Sequence, residues 1–317
     1  MINGWLNVYK PLNVSSASIV ARVKKILGKN IKVGHCGTLD PLASGILPIA
    51  IGQATKLSNY LVGSKKTYVF TIKFGASTAT GDAEGDVLRT CEFVPNSAKD
   101  LENIIPKFLG KIQQKTPKYA ASKINGKPFY KLARQGLDVP ERIRDIEIFS
   151  LKLLSHDMEN ATATYEASCS KGTYIRELAQ DIAISLKSLG FVIQLTRISV
   201  KNFSVANSLS LSGLSLSGSS GDRLLELSNE MAVDEIKNSL LPVEYILDDI
   251  PVIDLDINEA TKVGHGKTLL IFQDDLNLLW LRFQKRLVSI GRLSSNRYNI
   301  FCNFNLGERN DVDCTRA

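Results

Sequence analysis

Acidic side chains are nearly missing from the first 81 of the 317 residues. Asp40 is the only one there, against ten Lys and Arg. Cysteine is sparse and odd in number (Cys36, Cys91, Cys169, Cys302 and Cys314), without a Cys-x-x-Cys pair. That pattern argues against a disulfide framework and against a zinc site. The three histidines (His35, His156 and His265) lie far apart without metal-ligand spacing, so no metal is expected. No apolar run is long enough to span a bilayer, and Met1-Ile2-Asn3-Gly4-Trp5-Leu6 lacks the charged-then-apolar layout of a signal peptide. A cytoplasmic protein with no membrane contact is the expectation. Nucleotide-cofactor signatures are missing as well. Gly266-Lys267-Thr268 looks like the end of a P-loop, but Thr261 stands where the first glycine is required, and no dinucleotide fingerprint occurs. No cofactor is expected.

What is present is a globular composition, 44% hydrophobic and 22% charged, in a chain long enough for one large domain and a smaller one. Charge is divided unevenly. Residues 1–134 carry 20 basic and 7 acidic side chains, whereas residues 135–317 carry 19 and 25. From Lys107 to Arg134 there are eight basic residues and no acidic one, with Tyr119, Phe129 and Tyr130 interleaved. Such a run reads either as a solvated lysine-rich face or as a grip on a nucleic-acid backbone and its unstacked bases, and the aromatics favour the latter.

Local patterns place the elements. Gly4–Tyr9 reads as a strand. Ser15 or Ser16 caps a helix with Ile19, Val20, Val23, Ile26 and Leu27 on one face, closed by Gly28. Tyr68, Phe70, Ile72 and Phe74 alternate as a strand, followed by a polar loop over Gly75–Asp86. Leu101, Ile104, Ile105, Phe108 and Leu109 have helical spacing, which Pro106 should kink or shorten. Ala163, Tyr165, Ala167 and Cys169 alternate as a strand, and Ile175 to Leu189 reads as a helix stopped by Gly190. No regular βαβ rhythm appears, so an α+β fold with a mixed or antiparallel central sheet flanked by helices is expected. A low-complexity Ser/Leu/Gly-rich linker or insertion at about 204–235, overlapped and followed by an acidic stretch from Asp222 to Glu259, separates this part from β-like runs after Pro251. The expected division is therefore a large domain over 1–250, with a nucleic-acid-gripping segment at about 107–145, and a small β-rich domain over 251–317.

Asp40 sits in Gly34-His35-Cys36-Gly37-Thr38-Leu39-Asp40-Pro41-Leu42-Ala43-Ser44-Gly45. An Asp-Pro in a glycine-rich loop is ordinarily a turn. In a cationic setting, however, a carboxylate stays ionised and can act as a nucleophile or as a base of modest strength. His35 and Cys36 are adjacent, so on extended backbone they point to opposite faces and make a poor dyad.

The stretch Gly34 to Lys56 closely resembles the signature of the bacterial tRNA pseudouridine synthase B (TruB) family. Other segments match in the same order: Gly4 to Ser16 with Lys10-Pro11, Lys66-x-Tyr68, Thr78 to Gly85, Pro117-x-Tyr119 to Gly136, and Cys169 to Arg176. The match covers about residues 4 to 205. It implies isomerisation of one T-loop uridine to pseudouridine with the base flipped out, without a cofactor. It also implies Asp40 as the catalytic aspartate, Arg176 as its partner and Tyr68 as the residue stacking on the base. Tyr174 and Leu195 would line the uracil pocket, His35 would support the opened T loop, and Lys10 would support the pocket. Lys118, Lys123, Lys127 and Arg134 would hold RNA, and the C-terminal domain would be PUA-like. The implied partner is the tRNA T arm, bound by a monomer needing no protein partner. Thr116, Ser122, Thr196 and Asn202 depart from the usual pattern. The rival readings are a tRNA-folding chaperone and a guide-RNA-dependent pseudouridine synthase subunit.

Overall fold

The computed structural model describes residues 2–305, apart from 211–228 and positions 121, 122, 125, 126, 130, 131, 133, 134, 136, 138 and 141. In chain order the first elements are β1 (Gly4–Lys10), α1 (Ser16–Leu27), β2 (Val33–His35), β3 (Ala43–Ile51), α2 (Ser58–Gly63), β4 (Lys66–Phe74), β5 (Ala76–Thr78) and β6 (Val87–Thr90). Next come α3 (Ala98–Asn103), β7 (Gly110–Lys115), β8 (Lys123–Ile124), β9 (Lys127–Pro128), β10 (Ile143–Asp157), β11 (Thr162–Cys169), α4 (Ile175–Ser185) and β12 (Gly190–Val200). Short β13 (Phe203–Ser204) and β14 (Leu209–Ser210) precede α5 (Asn229–Asn238), β15 (Val252–Asp254) and α6 (Ile257–Gly264). The hairpins β16 (Leu276–Phe283), β17 (Arg286–Ser294) and β18 (Arg297–Asn303) follow.

One large sheet runs β14-β1-β3-β12-β4-β11-β10-β7, with β2 also on β3 and β13 on β12. The β1–β14 and β3–β12 pairs are parallel and the others antiparallel, so the expected mixed α+β sheet is what forms. On one face α4 lays Leu178, Ala179, Ile182 and Ala183 against Phe70, Ile72 and Phe74 of β4. Elsewhere α1 and α5 share a cluster with β1 and β3 through Ile19, Val23, Ile236, Leu6 and Leu47. A third cluster joins Trp5 and Ile46 of the large sheet to Val243, Ile246, Trp280 and Ile290, so the small β15-β16-β17-β18 sheet packs directly on the large one.

Local chemistry explains most boundaries. Ser15 Oγ accepts the N–H of Ser18 at 3.0 Å to start α1, and Gly28 at φ +99° ends it. The helix α3 stops at Asn103, and Pro106 enters a 3-10 turn over Ile105–Phe108 instead. Two expectations shift. The helix after Ile175 ends at Ser185, with Lys187 at φ +61°, rather than at Gly190. Gly190 opens β12, where an added Cβ would lie 2.7 Å from Ala183 Cβ, so close helix–strand packing, not helix termination, requires that glycine. The polar loop after Phe74 also contains a strand, β5, paired with β6.

Candidate active site

The loop bearing Asp40 is tied down by buried polar groups on either side. Lys10, fully buried on β1, donates through Nζ to the carbonyls of Val14 (2.7 Å), Pro11 (2.9 Å) and Pro41 (3.3 Å). Ser16 Oγ accepts from Leu39 N at 2.8 Å and donates to Leu39 O at 2.9 Å. Arg197 on β12 donates to Gly37 O (2.8 Å) and to Ile46 O (2.7 Å), bracing both ends of the loop. At Gly45, opposite Arg197 in the parallel β3–β12 pair, φ is +109° and a Cβ would sit 2.2 Å from Arg197 O. Only glycine lets the two backbones approach that closely. With Leu39 and Pro41 both tethered, Asp40 is presented on a rigid support.

Asp40 meets Arg176, the second residue of α4. Arg176 Nη2 lies 3.0 Å from Asp40 Oδ2, and Nη1 lies 3.1 Å from Asp82 Oδ2. The same guanidinium donates to Thr80 O (2.9 Å) and Tyr119 O (3.3 Å). Arg176 and Asp82 are buried, whereas the Asp40 side chain is 40% exposed. The two carboxylates therefore divide their work. Asp82, which also accepts from the Thr80 hydroxyl and from Glu84 N at 3.1 Å, fixes the arginine. The arginine in turn orients the carboxylate that faces solvent. Asp82 lies in the segment read from sequence as a polar loop and was not singled out there. Its signal was only an acid in a Thr-Gly-Asp turn, a common surface motif.

Tyr68 is buried on β4 directly across from Arg197 on β12, in the cluster that also holds Leu39, Ala43 and Leu195. Burial pushes its hydroxyl above the ordinary tyrosine range, against the pull of Arg197. Leu195 is buried opposite Ala43. Tyr174 stands at the N-terminus of α4, two residues before Arg176. His35 ends β2 opposite Ile49, and its Nδ1 is buried without a hydrogen-bond partner among the described residues. Burial, reinforced by Arg197, holds its imidazole below the usual range. Burial likewise lowers Lys10 to about 8, with Asp40 pulling the other way, and raises the Cys36 and Cys169 thiols to about 11, well away from nucleophilic character.

The segment expected to grip RNA is placed in part. Lys118 is exposed beside Tyr119, whose carbonyl reaches Arg176. Lys123 and Lys127 belong to the paired strands β8 and β9, and Arg134 lies outside the described residues. Three departures from the usual pattern make specific bonds. Thr116 Oγ1 accepts from Arg144 Nε at 3.2 Å, Thr196 bonds Ser44 at 2.9 Å, and Asn202 donates to Tyr245 O at 3.1 Å. Ser122 lies outside the described residues. Arg197, which holds Gly37 and Ile46, and Asp82, which holds Arg176, are the site-forming residues that sequence reasoning passed over.

A chain from the crystal structure of a Cbf5-Nop10-Gar1 complex superposes with a TM-score of 0.66 at 21% identity, covering 92% of this chain and 78% of that one, a likeness of fold. Residues 24–175 match the family described as TruB family pseudouridylate synthase (N terminal domain). A protein named tRNA pseudouridine synthase B from Rickettsia akari (strain Hartford) is 44% identical over 307 residues, spanning 96% of this chain and all of that protein. One of the same name from Rickettsia bellii (strain OSU 85-389) is 44% identical over 303 residues, 95% of this chain and 98% of its own. The chain belongs to the TruB family of pseudouridylate synthases. No helix among the described residues is long and apolar enough to cross a membrane.

Proposed function

We propose that this enzyme converts one uridine in the T loop of tRNA to pseudouridine, with Asp40 as the catalytic carboxylate and the target base turned out of its stack. The observation that carries the reading is the half-exposed Asp40 carboxylate 3.0 Å from a buried arginine that a second carboxylate holds in place. The reaction breaks the bond between N1 and ribose C1′ and forms one between C5 and C1′. The C5 hydrogen leaves as a proton and N1 gains one, so no oxidant or reductant is consumed. Asp40 serves either by attacking C1′, as the nucleophilic carboxylate of a retaining glycosidase does, or by removing a sugar proton to give a glycal. Both routes need the carboxylate held in one orientation, which is what Arg176 supplies.

In this reading Tyr68 stacks on the extruded uracil, and Tyr174 and Leu195 line its pocket. His35 supports the vacated stack, offsetting part of the few kcal/mol that extrusion costs. Lys10 braces the Asp40 loop from behind through Pro41. Lys118, Lys123, Lys127 and Arg134 hold the phosphate backbone. The protein acts as a cytoplasmic monomer on the tRNA T arm without a protein partner or guide RNA.

Tritium release from carbon-5-labelled uridine in a bare tRNA transcript tests it. The purified wild-type chain alone should release tritium, and Asp40→Asn should abolish release while RNA affinity stays within a few-fold. Binding without release by the wild type would favour the chaperone or guide-dependent reading. Near-wild-type turnover by Asp40→Asn would remove Asp40 from the chemistry.

A further inference from the structure

Tyr174 is held from two sides by one rung of the β7–β10 ladder. Gln114 and Arg144 are direct cross-strand partners. Gln114, 2% exposed, clamps the Tyr174 backbone with both ends of its amide: Oε1 accepts from Tyr174 N at 2.8 Å, and Nε2 donates to Tyr174 O at 3.0 Å. Arg144 covers the ring, with its guanidinium carbon 5.1 Å from the ring centroid. That guanidinium is itself oriented by Thr116 Oγ1 at 3.2 Å from Nε and by Gly172 O at 3.4 Å from Nη1. A planar cation over an aromatic face is a directional contact. An amide bonded to both N–H and C=O of one residue fixes that residue's position along two axes.

The placement of this rung gives it consequence. β7 and β10 are the strands on either side of the Thr116–Arg142 segment, and Thr116 N donates to Arg142 O at 2.8 Å just above the rung. Tyr174 immediately precedes α4, whose second residue is Arg176. The base of the gripping segment, the pocket tyrosine and the arginine on Asp40 thus form one connected chain of contacts. Thr116, one of the departures from the usual pattern, supplies the hydroxyl that orients Arg144.

We infer that Gln114 and Arg144 are positioning residues that set Tyr174, and through it the start of α4, when RNA engages the segment between β7 and β10. The inference rests on the pseudouridine reading above. Its test measures tritium release and tRNA binding, the latter across a salt series, for Arg144→Ala, Arg144→Lys and Gln114→Leu. Arg144→Ala should lower kcat by about tenfold to a hundredfold, the range for a slightly misplaced pocket group. Its Kd should stay within about twofold with an unchanged salt slope. Arg144→Lys keeps a cation for the ring and should recover part of kcat. Gln114→Leu should lower kcat in the same direction.

Weakened binding with a shallower salt slope at unchanged kcat would overturn the inference, because Arg144 would then be a phosphate contact. Should Arg144→Ala not fold, Thr116→Val removes only the hydroxyl and should shift kcat the same way; an unchanged kcat there counts against the inference. A readout independent of catalysis is 3-fluorotyrosine at position 174. Its fluorine resonance should move in Arg144→Ala, and a stationary resonance would show that Arg144 does not set the ring. Failure of the wild type to release tritium would instead sink the pseudouridine reading, with the fluorine signal still judging the rung.

Discussion

Charge is used in opposite ways around Asp40 and in the C-terminal sheet. Around Asp40 the cations Lys10, Lys66, Arg176 and Arg197 are all buried, and their donors go largely to backbone carbonyls. In the C-terminal sheet Arg282 makes a two-pronged contact with Asp254, 2.6 Å on each prong, on an exposed edge. A buried cation loses hydration and survives only with its hydrogen bonds satisfied, whereas an exposed pair gains little and loses little. The Asp40 loop therefore accepts unfavourable burial that fixes its backbone around one half-exposed carboxylate. The surface pair is merely compatible with the fold.

The sharpest way to break this contrast is at Asp82. Asp82→Asn leaves Arg176 buried with one carboxylate instead of two. It should destabilise the fold by about 3 kcal/mol in a denaturant titration and lower kcat about a hundredfold. A variant with normal turnover would mean that Arg176 needs no second carboxylate. Lys10 comes next. Its three N–H groups serve three carbonyls, and burial brings it to about 8, so it loses a proton and one of those bonds as pH rises past that value. Turnover should decline above pH 8, and Lys10→Arg should move the decline to higher pH; a flat profile from pH 7 to 9.5 would refute this. For folding, the sign of the Lys10 contribution is the reverse. The unfolded chain binds the extra proton between about 8 and 10.5, so within that window this group makes stability rise with pH. The smallest effect belongs to Asp254→Asn, expected to change neither the melting temperature nor tritium release measurably. A clear loss of either would show that the exposed pair matters as much as the buried cations.

Short-range patterns made some parts of this molecule legible and left others hidden. Alternation alone places Tyr68, Phe70, Ile72 and Phe74 on the inner face of β4, and the caps of α1 are visible in Ser15 and Gly28. The strand β10 was not anticipated. Two register shifts against β11 interrupt its alternation, and half its length faces solvent. Asp40 and Arg176 were paired only through the family resemblance, because they lie 136 positions apart and no local period links them. Asp82, Gln114 and Arg197 share that difficulty: each acts on a partner 60 or more residues away, so their type alone does not distinguish them from surface polar residues.

The two borders of the large sheet are guarded by different means. Along β1, Val8 and Tyr9 pair with Leu209 and Ser210, and Trp5 exchanges both backbone hydrogen bonds with Leu241 at 2.8 Å each. Pieces from either side of residues 211–228 thus fasten to the same strand and use up the groups by which another molecule could extend the sheet. At the opposite border β7 carries the exposed Lys111 and Lys115, charged side chains of the kind that blunt a strand edge. Unsatisfied strand edges are the usual starting point for intermolecular β-pairing. The ten-stranded sheet is thus finished by cover on one flank and by charge on the other, so neither border presents a long bare strand edge.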